Sequence, residues 1–318
     1  MKVISNILPF RRAKCVATVG VFDGVHLGHQ FILKKVRETA RKKKLASLLI
    51  TFDILPQQFL NKKKFLHHRR PGKAFIGSLT KEIEKINLVN SLDIDYLWFL
   101  KTKKSLLGLS AEKFIDYIQK YFNIEKLIVG EDFRFGHKGG GDLGDLKKLA
   151  SLHRFDLLII KKITKNEKAV SSSLIRQLIQ KGKVNQVKQL LGRHFSLEGE
   201  VVKGRGIGKE LGFPTANISS GNYVIPAFGV YAAYVVLGRK KYLAAVNIGL
   251  RPTFSKSKSP SVEVHILNFK KNILGKKIKI FFLEQMREEK KFSSHEVLTA
   301  AIAKDIKHLT SKYSAFLI

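Results

Sequence analysis

Apolar runs and helical repeats alternate along the first half of the chain. Continuous apolar stretches of the buried, parallel type predict strands at residues 15–21, 45–52, 95–100, 126–130 and 157–161. Apolar positions three and four apart predict helices at 30–44, 79–91, 110–122, 142–153 and 172–181. This alternation predicts an open parallel sheet covered by helices on both faces. Ligands of such sheets bind beyond the carboxyl ends of the strands.

The pattern changes near residues 182–192, after which strand candidates follow one another closely. A short helix at 184–191 precedes predicted strands at 196–203, 229–237, 241–248, 261–269 and 276–283, with glycine-rich connections between them. Such spacing predicts a small antiparallel barrel. A final helix at 293–309 is predicted to open with a capping box formed by Ser293 and Glu296. The fold class is therefore α/β, with an open parallel-sheet domain at 1–183 and a small antiparallel β-barrel domain with a C-terminal helix at 184–318.

Length and cysteine content indicate how many domains and which cellular compartment to expect. The chain has 318 residues, which is comfortable for two domains, and Cys15 is its single cysteine. One cysteine excludes an internal disulfide and a cysteine-based zinc site. No apolar run approaches the ~20 residues of a spanning helix, and Arg11 and Arg12 follow the first apolar run where a signal peptide would carry its charges first. We expect a cytoplasmic protein with no membrane partner.

The net charge of +34 raises nucleic acid as a partner. However, the excess comes from 45 lysines against 14 arginines, and the lysines are spread over both halves of the chain. Surfaces that bind phosphate backbones usually concentrate arginine and interleave aromatic residues. Solvated lysine-rich faces are therefore the favoured interpretation, with any nucleic-acid binding expected to be non-specific. The sequence leaves the oligomeric state open.

Three polar segments would meet at the strand ends of the first half, at residues 22–29, 130–136 and 170–176. The first carries His26 and His29 at the start of a helix, where backbone N–H groups favour a phosphate. Histidines, serine hydroxyls and an arginine are the groups that a nucleotidyl transfer needs on its phosphates. Each has a structural alternative, because a serine can simply cap a helix and the acidic and basic residues of 130–136 can form a surface ion pair. These candidates are His26, His29, Asp132, Arg134, Ser172, Ser173 and Arg176.

A glycine-rich segment is the densest motif of the second half. Its glycines at 204, 206, 208 and 212 permit close approach of backbone to a phosphate. Thr215 and Asn217 offer the hard oxygen ligands that magnesium accepts beside substrate phosphates. Glu263 is the candidate base for phosphorylating an alcohol, although its alternation with apolar neighbours equally fits an exposed strand residue.

These motifs resemble those of the prokaryotic bifunctional riboflavin kinase/FAD synthetase family over essentially the whole chain. In the first half, the resemblance lies in Gly-x-Phe-Asp-Gly-x-His-x-Gly-His, Gly-x-Asp-Phe-x-Phe-Gly and Ser-Ser-x-x-Ile-Arg, which match 20–29, 130–136 and the segment ending at Arg176. It implies a Rossmann-like nucleotidyltransferase domain that converts FMN and ATP to FAD and pyrophosphate with Mg²⁺. By this resemblance His26, His29 and Arg176 are catalytic. The implied nucleotide-binding residues are Gly20, Phe22, Asp23, Gly28, Asp132, Ser172 and Ser173.

In the second half the resemblance rests on Gly-Phe-Pro-Thr-Ala-Asn, Asn-Ile-Gly-x-x-Pro-Thr-Phe, Val-Glu-x-His-x-Leu-x-Phe and Arg-x-Glu-x-x-Phe. It implies a riboflavin kinase barrel that phosphorylates riboflavin to FMN, with Glu263 as the base for the ribityl hydroxyl. Thr215 and Asn217 would then hold Mg-ATP, including its metal. The other implied binding residues are Gly204, Gly206, Gly212, Asn247 and Arg287.

One segment departs from the family pattern. Where the family carries Thr-Phe-x-Pro-His-Pro, this chain reads Thr-Phe-Asp-Ile-Leu-Pro at 51–56, without the histidine. Val21 also replaces an asparagine that is usual before Phe-Asp-Gly. Two alternatives stand beside a bifunctional enzyme. The missing histidine raises a riboflavin kinase with weak or lost adenylyl transfer, and the +34 charge raises an RNA-binding protein on a nucleotidyltransferase-derived fold.

Overall fold

The computed structural model describes residues 1–4, 14–61, 77–165, 167–204, 206–250 and 260–314. They form two compact units, Met1–Ser172 and Ser173–Ile318. The domain ranges 1–183 and 184–318 stay a prediction, because compactness alone does not assign residues 173–183 to a functional module.

A six-stranded parallel sheet is the centre of the first unit. Its order is β1-β4-β3-β2-β5-β6, and every neighbouring pair is parallel. The chain passes from β2 to β3 and β4 on one side and then crosses to β5 and β6 on the other side of β2, so the loop after β2 lies at a topological switch point, where open α/β sheets bind ligands. The strands are β1 (Lys2–Ile4), β2 (Lys14–Val19), β3 (Ala46–Phe52), β4 (Tyr96–Leu100), β5 (Asn123–Gly130) and β6 (Asp156–Ile160).

Helices cover both faces of this sheet, as predicted. Leu33, Val36 and Ala40 of the first helix pack into one apolar cluster, while Phe114 and Leu146 belong to the cluster on the other face. The fifth helix begins as the sequence predicts, with the Ser110 hydroxyl accepting a hydrogen bond from the Lys113 N–H. The helices are α1 (Leu27–Lys43), α2 (Pro56–Asn61), α3 (Glu82–Asn90), α4 (Lys104–Leu107), α5 (Ala111–Tyr121) and α6 (Leu143–His153), followed by a small hairpin of β7 (Thr164–Lys165) and β8 (Lys168–Ala169).

The second unit contains the predicted barrel. It is closed and antiparallel in the order β10-β13-β12-β11-β14-β9, with β9 paired to β10. The strands are β9 (Ser196–Val202), β10 (Ala216–Ser219), β11 (Gly229–Leu237), β12 (Lys240–Leu250), β13 (Pro260–Ile266) and β14 (Lys277–Glu288). The sequence predicted five of these strands and missed β10, a four-residue strand at the end of the glycine-rich segment.

Among the described residues of the second unit, the helices are α7 (Ser172–Gln180), which begins at the unit boundary, α8 (Val184–Leu191), α9 (Ile207–Glu210) and α10 (His295–Tyr313). The predicted capping box of the last helix is wrong. Ser294, not Ser293, is the N-cap, and its hydroxyl accepts a hydrogen bond from the Val297 N–H at 3.4 Å. Glu296 therefore lies one position too early in the helix for the reciprocal bond.

Within the described ranges, no helix combines the length and the apolar character needed to cross a membrane.

Candidate functional sites

The loop between β2 and α1 adopts an unusual backbone conformation. Phe22 and Val25 have positive φ values of 47° and 38°, a region that bulky and β-branched residues rarely enter, and Gly24 has φ 83°. A Cβ at Gly20 would lie 3.1 Å from the Phe22 ring, so glycine at this position gives the ring room. Such conformations persist only where surrounding contacts enforce them, and they concentrate at functional sites.

Asp23 supplies those contacts from the inside of the loop. Its buried carboxylate accepts hydrogen bonds from the N–H groups of Leu79 and Thr80 at 3.0–3.1 Å, and the Thr80 hydroxyl accepts one from the Gly24 N–H. The Ser172 hydroxyl donates to the Asp23 carbonyl at 2.8 Å. These bonds also explain why α3 begins at Glu82 rather than at the predicted residue 79. Asp23 and Ser172 thus position the loop, whereas their direct contact with nucleotide stays a prediction.

His26 forms the N-cap of α1, which begins three residues earlier than the sequence predicted. Its Nδ1 accepts a hydrogen bond from the His29 N–H at 3.3 Å, so the proton of the neutral ring is carried by Nε2. The two imidazoles stack with centroids 3.6 Å apart. Gly28 permits this arrangement, because a Cβ there would lie 3.2 Å from the His26 ring. The predicted histidine pair is therefore assembled at the helix N-terminus.

His29 is held in its neutral form. Burial lowers its pKa well below the ordinary value, and the neighbouring His26 and Lys85 lower it further. Its Nδ1 is buried and finds no hydrogen-bond partner among the described residues. A buried polar atom of this kind is costly unless it is paired, so the geometry of the pair fits a polar ligand.

Lys85 of α3 is a residue that the sequence interpretation missed. It is only 4% exposed, and its Nζ donates to the Val21 carbonyl at 2.9 Å and to the Thr51 hydroxyl at 3.3 Å. Burial lowers its pKa to about 8, while Asp23, Glu82 and Asp53 act in the opposite direction. A signal was present, since Lys85 shares one helix face with the apolar Val89, four residues later.

The loop after β5 lies beyond the same edge of the sheet. Asp132 is exposed and forms an ion pair with Lys162 at 3.3 Å, and Arg134 pairs with Asp142 at 3.6 Å. The two residues are thus engaged by different partners rather than paired with each other. Ser173 and Arg176 lie in α7 within the second unit, and their assignment to the transfer site stays a prediction.

In the second unit, strand register aligns three candidate residues. Glu263 of β13 lies opposite Asn217 of β10 on one side and opposite Asn247 of β12 on the other. Directly opposite residues share a face of the sheet, with Cβ atoms about 5 Å apart. The neighbours Val262 and Val264 are buried inside the barrel, so the row faces outward. Glu263 is half-buried there rather than fully exposed.

The glycine-rich segment lies beside this row. Gly204 is required because a Cβ would overlap the amide of Asn217, which is 8% exposed. Gly206 and Gly212 have positive φ values of 84° and 82°, and the Phe213 N–H donates to the Gly208 carbonyl at 2.7 Å. A Cβ at Gly208 would also lie 3.0 Å from the Thr215 hydroxyl oxygen. The segment therefore exposes backbone where larger residues would fill the space.

Arg287 continues the row, separated from Asn247 by Val230 of β11. Its Nε donates to Asp305 of α10 at 2.9 Å, and its guanidinium lies 5.3 Å from the centre of the Phe292 ring. This engagement attaches α10 to β14. The part of the Asn-Ile-Gly-x-x-Pro-Thr-Phe motif at 251–254 lies outside the described residues.

Metal binding in this unit would rest on neutral oxygen ligands. Among the described residues, no group of three or more His, Cys, Asp or Glu side chains is arranged to hold a metal ion. The Thr215 hydroxyl and the Asn217 carbonyl oxygen suit Mg²⁺, which prefers oxygen and completes its shell with water and substrate phosphates. Open space lies at Gly206 and Gly212, where an added Cβ would meet no atom within 4 Å.

Comparison with known proteins gives a family match for each unit. The FAD synthetase family model matches residues 9–174, and the riboflavin kinase model matches residues 191–313. The bifunctional riboflavin kinase/FMN adenylyltransferase of Buchnera aphidicola subsp. Schizaphis graminum is 37% identical over 98% of this chain and 99% of its own. The protein of the same name from Bacillus subtilis is 33% identical over 94% and 93%.

A solved structure also matches nearly the whole chain. A Streptococcus pneumoniae protein described as a macrolide-efflux protein has a TM-score of 0.81 and 27% identity, over 96% of this chain and 97% of its own. Its description applies to that protein. Because the identity to the curated relatives extends over both units and almost the full length of each chain, this chain belongs to the family of bifunctional riboflavin kinase/FMN adenylyltransferases.

Proposed function

We propose that this chain makes FAD in two ATP-dependent steps, one in each unit. The second unit phosphorylates riboflavin to FMN, and the first joins FMN to the adenylyl group of ATP and releases pyrophosphate. The observation that carries the proposal is the row of Asn217, Glu263 and Asn247 beside a glycine-rich segment, together with family membership over both units.

In the kinase step, Glu263 is the base. It accepts the proton of the ribityl 5′-hydroxyl as that oxygen attacks the γ-phosphorus of ATP, and ADP leaves. Thr215 and Asn217 hold the nucleotide with its Mg²⁺, which when bound neutralises charge on the phosphates. Backbone at Gly204, Gly206 and Gly212 approaches the phosphates closely. Asn247 orients the acceptor next to Glu263.

In the transfer step, an oxygen of the FMN phosphate attacks the α-phosphorus of ATP. This nucleophile is already anionic, so the step needs no general base, and positioning and charge stabilisation do most of the work. His26 and His29 donate hydrogen bonds to the triphosphate at the N-terminus of α1, where burial lowers the pKa of His29 and favours its neutral ring. Arg176 and Ser173 add donors to the leaving pyrophosphate, and Asp132 contacts the substrates from the loop after β5.

The substrates are small molecules, namely riboflavin, FMN and ATP, and we place the reactions in the cytoplasm. The single cysteine, Cys15, can form no internal disulfide, which supports a reducing compartment. The +34 charge supports only weak, salt-sensitive binding of nucleic acid.

One incubation tests the proposal and separates it from its alternatives. Purified protein is incubated with riboflavin and Mg-ATP, and the flavins are separated chromatographically. Accumulation of FAD supports both steps. FMN without FAD, even when FMN is supplied directly, would leave only the kinase. Absence of turnover with tight, salt-sensitive RNA binding would replace the proposal with the RNA-binding alternative.

A further inference from the structure

Lys85 is an unusual residue to find beneath a phosphate-binding loop. Its side chain comes from α3, crosses the interior and ends with Nζ 2.9 Å from the Val21 carbonyl, immediately before the strained residues Phe22–Val25. The Thr51 hydroxyl, at the end of β3, receives a second hydrogen bond from the same ammonium and itself donates to the Val21 carbonyl at 3.0 Å. Lys85 thus joins three segments at the point where the loop leaves β2.

We propose that Lys85 is a positioning residue of the adenylyl-transfer site, and that its positive charge fixes the loop at 20–29 and favours the binding of polyphosphate there. This inference rests on the proposed transfer activity of the first unit. Nothing in the motif resemblance assigns Lys85 a role, since it lies between the matched motifs.

The burial of a charged amine at this position argues against a purely structural role. A neutral donor would satisfy the Val21 carbonyl and the Thr51 hydroxyl without the desolvation penalty of an ammonium. Burial outweighs the influence of Asp23, Glu82 and Asp53, so the pKa of Lys85 falls to about 8. The chain therefore keeps a destabilised charge directly under the loop. Strain and unfavourable charge of this kind concentrate at functional sites.

The charge also acts on the histidine pair. Lys85 is one of the three causes that lower the pKa of His29, which means that its field extends to the ring that we place against the triphosphate. It favours the neutral form of His29, and it adds attraction for an anion at the same place. In a buried setting such attraction is stronger than in water.

Because the pKa of Lys85 is about 8, transfer activity should depend on its protonation. The groups that face it are Asp23 from the loop, Glu82 from α3, Asp53 after β3 and His29 from α1. The pKa of His29 is lowered, and phosphate monoesters lose their second proton near pH 6. We therefore expect FAD formation to fall as the pH rises through about 8 to 9.

The test compares three variants in the full-length chain, with FMN and Mg-ATP as substrates. Lys85→Met removes the charge, Lys85→Arg keeps it at every pH, and Lys120→Met removes an exposed charge from α5 as a matched control. We expect Lys85→Met to lower kcat/KM for FAD formation about 10- to 100-fold, the value of a charged hydrogen bond. Lys120→Met should stay within twofold of the unmodified chain. Lys85→Arg should retain activity and lose the decline above pH 8.

Each outcome decides the matter. The inference is overturned if Lys85→Met stays within twofold, or if Lys85→Arg declines with the same apparent pKa as the unmodified chain. Should Lys85→Met fail to fold, the pH profile of Lys85→Arg still decides, since a purely structural lysine would leave that profile unchanged. FMN formation from riboflavin, measured on the same samples, shows independently whether the second unit is active. Failure of the proposed function has a different signature, because the unmodified chain would then make no FAD at all.

Discussion

At the scale of single residues, the two units use opposite chemistry for related tasks. The kinase needs a carboxylate to accept a proton, and Glu263 is held half-buried between two asparagines that carry no charge. The transferase needs donors and no base, and its imidazoles are stacked and buried, with the pKa of His29 lowered by that burial. Because each unit depends on a residue that the other lacks, single substitutions should separate the two activities.

Glu263→Gln and His29→Ala should therefore have crossed effects. Glu263→Gln removes the proton acceptor and should lower FMN formation about 10²- to 10⁴-fold while conversion of FMN to FAD continues. His29→Ala removes a donor to the phosphates and should lower FAD formation about 10²-fold, with FMN formation unchanged. Both rates are measured on the same preparations by separating the flavins after incubation.

The control for the first substitution is Glu200→Gln, which changes an exposed glutamate of β9 outside the row. It should leave both rates within twofold. Equal loss of FMN and FAD formation in Glu263→Gln, when FMN is supplied for the second step, would contradict the assignment of separate sites.

The neutral His29 also makes a prediction about stability. Its pKa is lower in the folded chain than the ordinary value of about 6.5, so the unfolded chain binds more protons as the pH falls below that value. The free energy of unfolding of the first unit should therefore decrease as the pH falls below about 6.5. Trp98, the single tryptophan, is buried in this unit, and its fluorescence in urea titrations reports that transition alone.

His29→Gln should flatten this dependence, because glutamine does not titrate. His295→Gln, at an exposed position of α10, serves as the control and should leave it unchanged. An identical pH dependence in His29→Gln and the unmodified chain would show that other groups cause the loss of stability.

At the scale of elements, two features position the candidate residues of the barrel: the register of its strands and the glycines of the segment before β10. Asn217 reaches its position only because Gly204 carries no side chain, and the φ values of Gly206 and Gly212 let the intervening segment turn back on itself. The short strand β10 carries Asn217 into register with Glu263. The kinase site therefore depends on the backbone of the glycine-rich segment as much as on its side chains.

Gly204→Ala tests this dependence. The new methyl group would overlap the amide of Asn217, which is the movable end of a side chain, so the chain should fold while Asn217 is displaced. We expect the KM for ATP in FMN formation to rise about tenfold, as for the loss of one hydrogen bond to a charged ligand. Gly238→Ala is the control, since it also replaces a glycine, with φ 61° and open space around it. A rise of the same size in Gly238→Ala would remove the argument from Asn217.

Elements with strong periodicity could be predicted from the sequence, and short or capped ones could not. Five strands of the parallel sheet, its longer covering helices and five barrel strands follow from apolar runs and helical repeats, whereas the three-residue β1 and the short helices α2 and α4 were missed. Strand β10 has four residues, and its neighbouring glycines and proline conceal it. Ser293 and Ser294 are adjacent and chemically alike, and only the backbone shows which one caps α10. Boundaries of this kind are set by local hydrogen bonds rather than by periodicity.

For the sites, the sequence predicts the residue types but not their mutual support. His26, His29 and Glu263 stand out by motif, and the structure stacks the two histidines and aligns the glutamate with Asn217 and Asn247. Lys85 was missed because its partners, the Val21 carbonyl and the Thr51 hydroxyl, lie 64 and 34 residues away. The helical spacing of Lys85 and Val89 indicates a shared face, but only the long-range partners show what the buried ammonium binds.

At the scale of the whole molecule, the charge of +34 bears on substrates rather than on the fold. ATP is an anion in both steps, but the two flavin substrates differ: riboflavin is neutral, and FMN carries a phosphate. A positive field raises the local concentration of anions and is screened by salt, with a Debye length of about 10 Å at 0.1 M. The pair of flavins therefore offers an internal comparison within one chain.

We expect the KM for FMN in FAD formation to rise about threefold or more between 0.05 and 0.3 M KCl, because screening weakens attraction of its phosphate. The KM for riboflavin in FMN formation should change by less than about 1.5-fold, because a neutral flavin gains nothing from the field. Both are measured with Mg-ATP saturating at each salt concentration, so that the salt dependence of nucleotide binding is removed. If the two KM values rise equally, the lysine excess has no selective effect on the anionic flavin. The lysines then only solvate the surface and do not attract the flavin substrate.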